Sequence, residues 1–307
     1  MFSGIRLNWR LKLKLSLMDP NNSFRFEGKG IMYGLMALIA DEHDELVYDN
    51  STLKNAINSG NVRLVKEILA GGASLDPYSP GNDQLMFDAI NVSHEMATVL
   101  YHAGADCLEQ GENGDYPIYT LIVKGYNDLV ELALIEKKID VNGLTSDDGL
   151  TLLSAAVIHG NIEAVNMLIR LGAKLNDALF QVRKVTIFQR LVEHFGIESF
   201  NVMMYDEYPI HYHCRYNDGT NNIVEEMLRL GANPNVRDPQ SGETCLHYAV
   251  RTDDDKLTQL LLNYGADPNT ADFDGLTPFI MAKEDGSEEV YRVIEDYLNE
   301  DIKEPEV

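Results

Sequence analysis

The chain has 307 residues and a formal net charge of −24. It is long enough to bury a sizeable core, and too acidic for a general nucleic-acid binder, which needs cationic surface against phosphates. Its three cysteines are too few for a disulfide scaffold and fit a reducing compartment. No run of about 18 apolar residues occurs, so the sequence predicts no membrane span.

Apolar residues alternate with basic or polar ones between Ile5 and Leu17. This two-residue period predicts a strand with one basic face, which would suit an anionic membrane or an acidic partner. Its interrupting charges exclude the continuous apolar region of a signal peptide. Two alternatives stay open: residues 1–18 are a disordered extension, or Met18 is the true first residue.

Residues 19–50 contain a loop-like start, a helical patch and an acidic run around His43. Neighbouring residues of a helix point in different directions. The acidic run therefore predicts a solvated helix end rather than a metal site. We expect this region to be an irregular N-terminal cap on the helices that follow.

A helix-pair pattern is clearest at residues 241–269, where the sequence TCLHYA occupies positions 244–249. Thr244 can cap the first helix through its hydroxyl. Leucines at helical spacing predict the second helix, and Gly265 can end that helix in the left-handed conformation.

Positions equivalent to Thr244 recur at 51, 84, 116, 151, 175, 208, 244 and 277. The steps are 32 to 36 residues, except for one of 24 before Leu175. That short step predicts a fifth unit without its preceding turn, in which Asp177 caps a shortened first helix and residues 186–195 form the second. The third unit ends unusually, at Lys137 and Lys138.

The sixth and eighth units also differ from the regular pattern. The sixth unit carries about two extra residues in the loop at 216–222. The eighth unit has apolar residues on one side and acidic residues on the other, which predicts a terminal cap with a wet outer face. Residues 299–307 are predicted to be an acidic tail.

These units resemble the ankyrin repeat across residues 51–298. The resemblance implies an all-α repeat solenoid of about eight stacked helix-turn-helix units with hairpin-like loops. It also implies a concave surface, made of loop tips and first helices, that binds other proteins. Irregular arrays of this kind are similar to ankyrin proteins of the effector or host-interaction type.

Metal, cofactor and catalytic sites are not predicted. The sequence His-x-His-Cys at 211–214 has no second ligand pair, which a zinc site needs. His211 and His247 fall on the signature histidine of the family, which bonds to the loop, and His213 must find a hydrogen-bond partner if buried. Cys214 and Cys245 are expected in the core.

The remaining cysteine, Cys107, follows a turn and is expected in an exposed loop. A cysteine–histidine hydrolase would need a base beside the nucleophile, and no sequence motif groups these residues.

Candidate partner-binding residues are the aromatic and arginine side chains of first helices and the loop tips, the types that dominate binding hot spots. They are Tyr212, Arg215, Tyr216, Asp238, Tyr248, Arg251, Asp272 and Phe273. The alternative is that the tyrosines simply pack between adjacent repeats.

The sequence therefore predicts a non-enzymatic protein-interaction module, acting as adaptor, scaffold or inhibitor. Its partner is another protein, for which the charge permits a basic surface. A monomer in the cytoplasm is expected, or in a host cytoplasm if the chain is an effector. Two alternatives stay open: an effector enzyme with its activity in residues 1–50 and the array as targeting module, or a mimic of an acidic surface such as DNA.

Overall fold

A computed structural model describes residues 50–76, 84–111, 114–146, 148–175, 177–216, 221–284 and 288–301. The predicted basic extension (1–18) and, apart from residue 50, the predicted cap (19–50) lie outside these residues. Most of the predicted acidic tail lies outside them as well.

The described residues form sixteen α-helices and one short 3₁₀ helix, at Ile197–Phe200. No strand is found in these ranges, only isolated bridges such as the one between Met204 and Glu207. The helices form eight consecutive pairs: α1 (Asn50–Asn58) and α2 (Val62–Ala70), α3 (Leu85–Val92) and α4 (His94–His102), α5 (Pro117–Lys124) and α6 (Asn127–Glu136), α7 (Leu152–Ile158) and α8 (Ile162–Arg170), α9 (Ala178–Gln181) and α10 (Val185–Phe195), α11 (Pro209–Arg215) and α12 (Asn222–Arg229), α13 (Cys245–Arg251) and α14 (Asp255–Asn263), α15 (Pro278–Glu284) and α16 (Glu288–Asp301).

The described residues divide into two compact units, with the boundary between Lys138 and Ile139. In the first unit, α3 packs between α1 and α5, while α2 packs on α4. In the second, the first helices α7, α9, α11, α13 and α15 pack in succession, and α10 packs between α8 and α12. Within each unit, a pair thus covers the apolar face of its neighbour, which confirms the predicted all-α repeat solenoid.

The seventh pair shows how the signature residues hold a repeat together. The ring nitrogen Nδ1 of His247 accepts the backbone N–H of Thr244 at 3.0 Å and lies 2.9 Å from the hydroxyl of the same threonine. Because Nδ1 accepts, the ring proton is on Nε2, which donates to the carbonyl of Leu276 at 3.2 Å. Thr244 and His247 form a capping box, so the predicted cap is present. His247 also fastens the following loop.

The fifth pair is short, as predicted. Helix α9 has four residues, and α10 follows after three connecting residues. Asp177 stands at the N-cap position, but its side chain makes no capping bond. Its carboxylate accepts the hydroxyl of Ser154 at 2.7 Å instead, so the capping role expected for Asp177 is wrong.

The third pair ends in a strained residue. Lys138 has a φ of 52°, the left-handed conformation that Gly72, Gly104 and Gly172 adopt at the same point of other repeats. A side chain with a Cβ pays for this conformation, whereas glycine does not. The third repeat therefore ends with the same backbone conformation as the other repeats, but Lys138 lowers its stability.

Cys107 was expected in an exposed loop, and this expectation is wrong. Its side chain is fully buried, and its carbonyl accepts the N–H of Ile118 at 2.9 Å, which ties the loop to the start of α5. Burial raises the pKa of the Cys107 thiol to about 12. Cys214 and Cys245 are buried too, as expected from their helices.

Candidate functional site

A cleft of about 280 Å³ opens beside the first helices of the sixth and seventh repeats. Its walls come from a tight turn before α11, the end of α11, the loop before α13, and α13 itself. The residues that line this cleft are Tyr205, Asp206, Glu207, Arg215, Asp238, Gln240, Ser241, Glu243, Tyr248 and Arg251.

The tight turn is closed by two hydrogen bonds. The N–H of Met204 donates to the carbonyl of Glu207 at 2.9 Å, and the N–H of Glu207 donates back at 3.0 Å. The two residues between them, Tyr205 and Asp206, have φ values of 53° and 62°. Such a turn normally selects glycine or asparagine, so its backbone is strained. It leaves the Tyr205 side chain 74% exposed.

Arg215, the last residue of α11, is the centre of the cleft. Its guanidinium donates to the hydroxyl of Tyr248 at 2.7 Å and lies 4.8 Å from the centre of that ring. It also forms ion pairs with Glu207 at 3.2 Å and Asp238 at 3.4 Å. Two carboxylates from different loops therefore hold one arginine against one aromatic ring.

The charge states in the cleft follow from these contacts. Burial opposes the charge on Arg215, but the bond to Tyr248 and the carboxylate of Glu207 raise its pKa above the ordinary value. Burial raises the pKa of Glu207, and Arg215 only partly offsets this effect. Burial would also raise the pKa of Asp238, but the N–H groups of Ser241 and Gln240 lower it. Asp238 is thus the firmly ionised partner of Arg215.

A third ion pair of the cleft joins Arg251 to Glu243. The Glu243 residue is buried and Arg251 is exposed. The guanidinium of Arg251 lies 5.7 Å from the ring centre of Tyr248, on which Arg215 also lies. Tyr248 therefore connects the two arginines. It is itself 3% exposed, with burial raising the pKa of its hydroxyl.

An aromatic cluster continues from the cleft. The ring of Phe180 lies 6.3 Å from that of Tyr205 and 5.2 Å from that of Tyr212. Tyr212 in turn lies 4.7 Å from Tyr216, which is 53% exposed. Rings from the fifth and sixth repeats thus form one surface, with Tyr205 shared between the cluster and the cleft.

The structure brings together four of the predicted binding residues, Arg215, Asp238, Tyr248 and Arg251, in the cleft. Tyr212 and Tyr216 lie beside it in the aromatic cluster. Asp238 and Tyr248 are buried, so most of their surface is used to hold the two arginines rather than offered to a partner.

Asp272 and Phe273 lie in the next loop. The carboxylate of Asp272 accepts the N–H groups of Asp274 and Leu276, both at 2.9 Å, and so shapes its own turn. Phe273 is 61% exposed, and its ring lies 5.1 Å below the guanidinium of Arg237. Neither residue lines the cleft.

Sequence reasoning missed Tyr205, Asp206, Glu207 and Glu243. The first three lie in a loop between repeats, where no periodic pattern marks a position. Glu243 directly precedes the signature threonine. Its place next to the start of a first helix was the one signal in the sequence that could have identified it as a site residue. Glu207 pairs with Arg215, and Glu243 pairs with Arg251, each at the start and end of the same first helix. Stacking of the sixth and seventh repeats joins these two pairs through Asp238 and Tyr248.

The histidines at 211 and 213 do not converge on a metal. His211 Nε2 lies 2.9 Å from the carbonyl of Val236 in the following loop. His213 Nε2 lies 2.9 Å from the carbonyl of Leu179 in the preceding repeat. Among the described residues, no group of three or more histidine, cysteine or acidic side chains could hold a metal ion.

Paired helices that repeat and stack on one another define a helical-repeat protein. A model of the family described as "Ankyrin repeats (3 copies)" matches residues 85–178 and 210–304, which is more than half of the chain. The chain belongs to the ankyrin repeat family. In the described part of the chain, no helix has the length and apolarity required to cross a membrane.

Curated relatives match over short segments. The human 2-5A-dependent ribonuclease is 42% identical over 65 residues, which is 21% of this chain and 9% of that protein. The human ARF GTPase-activating protein GIT1 is 35% identical over 78 residues, 25% of this chain and 10% of that protein. The chain thus spans about a tenth of the length of these relatives.

Two solved ankyrin repeat domains are similar. The domain of Bcl-3 is 21% identical, with a TM-score of 0.44, and the match covers 79% of this chain and 97% of that domain. The human ASB11 domain is 18% identical, with a TM-score of 0.41, and the match covers 83% of this chain and 99% of that domain.

Proposed function

We propose that this chain is a non-enzymatic adaptor, scaffold or inhibitor that binds a partner protein through the first-helix face of its sixth and seventh repeats. Ankyrin repeats are protein-interaction modules. The observation that carries the proposal is the cleft, in which two exposed arginines are fixed by ion pairs and the exposed ring of Tyr216 lies beside one of them.

Fixed side chains suit binding because little conformational entropy is left to lose. An arginine that is free in solution gives up about 0.5–1.5 kcal/mol when a partner immobilises it. Arg215 is already held by Glu207, Asp238 and Tyr248. The adjacent exposed ring of Tyr216 adds contact area of the kind found in hot spots.

The charge supports a basic partner surface. The whole chain carries −24, and the cleft has four carboxylates against two guanidinium groups. Complementary charge raises the rate of encounter more than the final affinity. Association should therefore slow as the salt concentration rises.

Site-specific photocrosslinking tests the proposal. A photoreactive phenylalanine analogue replaces Tyr216, and the matched control carries it at Glu225, an exposed residue on the second helix of the same repeat. We expect a defined protein adduct from position 216 and none from position 225. Adducts from 225 alone, or from neither position, would refute the proposed face.

The alternative of an enzyme active in residues 1–50 falls on residues outside the described part of the chain. The alternative of an acidic mimic has no specific contact in its favour, because the carboxylates of the cleft are arranged around arginines.

A further inference from the structure

We infer that Cys214 and Cys245 are an oxidation-sensitive pair, which a low-molecular-weight disulfide such as glutathione disulfide converts into a disulfide bond between the sixth and seventh repeats. The bond would act as a reversible staple on α11 and α13, the two helices that carry Arg215 and Tyr248. Three features of the molecule support this pair: the register of the two residues in the stack, the contact between their thiols, and their burial.

The two cysteines share one register of the interface between repeats. Cys214 lies near the end of α11, Cys245 is the first residue of α13, and these two first helices pack on each other. One repeat further along, the equivalent positions hold Val250 and Pro278, which are buried on α13 and α15, again two helices in contact. The equivalence of the repeats therefore places both thiols inside the interface.

The seventh repeat departs from its neighbours at Cys245. Pro209 and Pro278 begin the first helices of the sixth and eighth repeats, where proline suits the first helical position because its fixed φ is already helical. A cysteine at this position gives up that advantage. It also brings together the two cysteines that the sequence contains after residue 138.

The two thiols are in direct contact. A hydrogen bond joins their side chains, and neither residue is more than 1% exposed. Bond formation brings two sulfur atoms to about 2.05 Å, and a pair already in contact has little distance to close. Cys107 is equally buried, but the charged groups that act on its thiol are Asp106 and Lys137. It therefore serves as an internal control.

The exchange has two steps, each of which uses one thiol. When the repeats open, the thiolate of one cysteine attacks a sulfur of glutathione disulfide, which forms a mixed disulfide and releases one glutathione thiolate. The second cysteine then attacks the protein-side sulfur, the bond between Cys214 and Cys245 forms, and the second glutathione thiolate leaves. Two protein thiols are oxidised, one glutathione disulfide is reduced, and the two thiol protons pass through solvent to the glutathione thiolates.

Burial controls the rate in both directions. Desolvation and the neighbouring Cys245 raise the pKa of the Cys214 thiol, and a protonated thiol is a poor nucleophile. Oxidation therefore waits for local opening of the stack. The closed repeats shield the finished bond from reducing agents, and the bond restricts the opening through which it formed. The pair thus keeps its redox state between openings.

Oxidation of the full chain tests the inference. The reduced protein is incubated with glutathione disulfide at mildly alkaline pH, alkylated, and digested without reduction for mass spectrometry. We expect a cross-linked peptide pair that contains Cys214 and Cys245 and has lost two hydrogen atoms, whereas Cys107 stays free or carries glutathione. Amide hydrogen exchange in α11 and α13 should then slow by about a hundredfold, because the bond removes freedom from the opened state. Exchange in α3, in the first unit, should not change.

Two variants separate the bond from the loss of a thiol. Cys214→Ala leaves Cys245 without its partner, so oxidation should give only a mixed disulfide and no slowing of exchange in α13. Cys107→Ala removes the remaining thiol and should cross-link like the wild type. Circular dichroism before oxidation checks that both variants are folded, and the cross-link in the wild type decides the matter even if Cys214→Ala unfolds.

Three results would overturn the inference. The first is that Cys214 and Cys245 end as free thiols or as separate glutathione adducts after the amides of α11 and α13 have fully exchanged. The second is a cross-link that joins different molecules, and the third is a cross-linked chain that exchanges as fast as the reduced one. The proposed function is judged separately, because photocrosslinking at position 216 uses the reduced protein.

Discussion

Two signature histidines occupy the same position in consecutive repeats but make different numbers of hydrogen bonds. His247 bonds to the loop carbonyl of Leu276 and, through Nδ1, to both the N–H and the hydroxyl of Thr244. His211 bonds to the loop carbonyl of Val236 alone, and its buried Nδ1 has no partner among the described residues. Tyr208 stands where the seventh repeat has Thr244. Replacing each histidine by leucine therefore removes different numbers of bonds at similar volume.

The expected costs differ by about 2 kcal/mol. His247→Leu strands the N–H and hydroxyl of Thr244, which is 1% exposed, and each unsatisfied buried group costs about 1–3 kcal/mol. With each of these two groups near the lower end of that range and a further contribution from the partly buried loop carbonyl, the total is about 3–4 kcal/mol. His211→Leu loses one bond to a partly buried carbonyl and removes an unsatisfied nitrogen, so it should cost about 1–2 kcal/mol.

The pH dependence gives a second measure. Burial lowers the pKa of both histidines below the ordinary value of 6.5. In the unfolded chain they take up protons at higher pH than in the folded chain. Their stability contribution is complete above 6.5 and falls as the pH drops through that value. The cost of His247→Leu should therefore be smaller at about pH 5 than at about pH 7.5.

Urea unfolding followed by far-ultraviolet circular dichroism provides the free energies. Hydrogen exchange at α11 and α13 localises the effect, because repeat proteins need not unfold in one step. Equal costs for the two variants, or a larger cost for His211→Leu, would refute the hydrogen-bond accounting. A cost of His247→Leu that does not change with pH would refute the linkage argument.

Three further substitutions have predicted signs. Lys138→Gly removes the strain of a left-handed backbone conformation and should stabilise the first unit by about 0.5–1 kcal/mol in urea unfolding. A variant no more stable than the wild type would contradict this strain. Thr258→Val deletes a buried hydroxyl that has no described partner, and should raise the thermal midpoint, so that a lower midpoint would mean the hydroxyl is satisfied. Asp238→Asn removes the ionised partner of Arg215 and should lower the free energy of unfolding by about 2–3 kcal/mol at neutral pH. The loss should be smaller in acid, because the pKa of Asp238 is lowered and the stability that its charge contributes disappears as the pH falls. A loss that does not change with pH would contradict this prediction.

Much of the fold was predictable because ankyrin units place their signature residues at fixed intervals. The markers from Gln84 to Thr277 locate the first helices, and the short step before Leu175 predicted a shortened first helix, which is α9. Local capping was harder. The carboxylate of Asp177 accepts the hydroxyl of Ser154 instead of a helix N–H. The spacing of the repeats does not indicate which of these two donors the carboxylate will bind.

The cleft was predictable only in part, for a physical reason. Helix periodicity identifies Arg215, Tyr248 and Arg251 as successive first-helix residues, and stacking brings them together. The side chains that fix them, Glu207 and Glu243, lie in loops whose conformation depends on individual hydrogen bonds. Burial is likewise a property of the stack, so the sequence did not reveal that Tyr248 is enclosed.

The three buried cysteines can serve as natural probes of local unfolding. All of them are fully or nearly fully buried. Burial raises the pKa of Cys107 to about 12 and that of Cys214 well above its ordinary value, where Cys245 adds to the effect. A thiol-alkylating reagent therefore reacts only when the surrounding repeats open. Cys107 lies in the first unit and the other two in the second. The labelling rates of the two groups would report the opening of each unit separately, without any engineered probe.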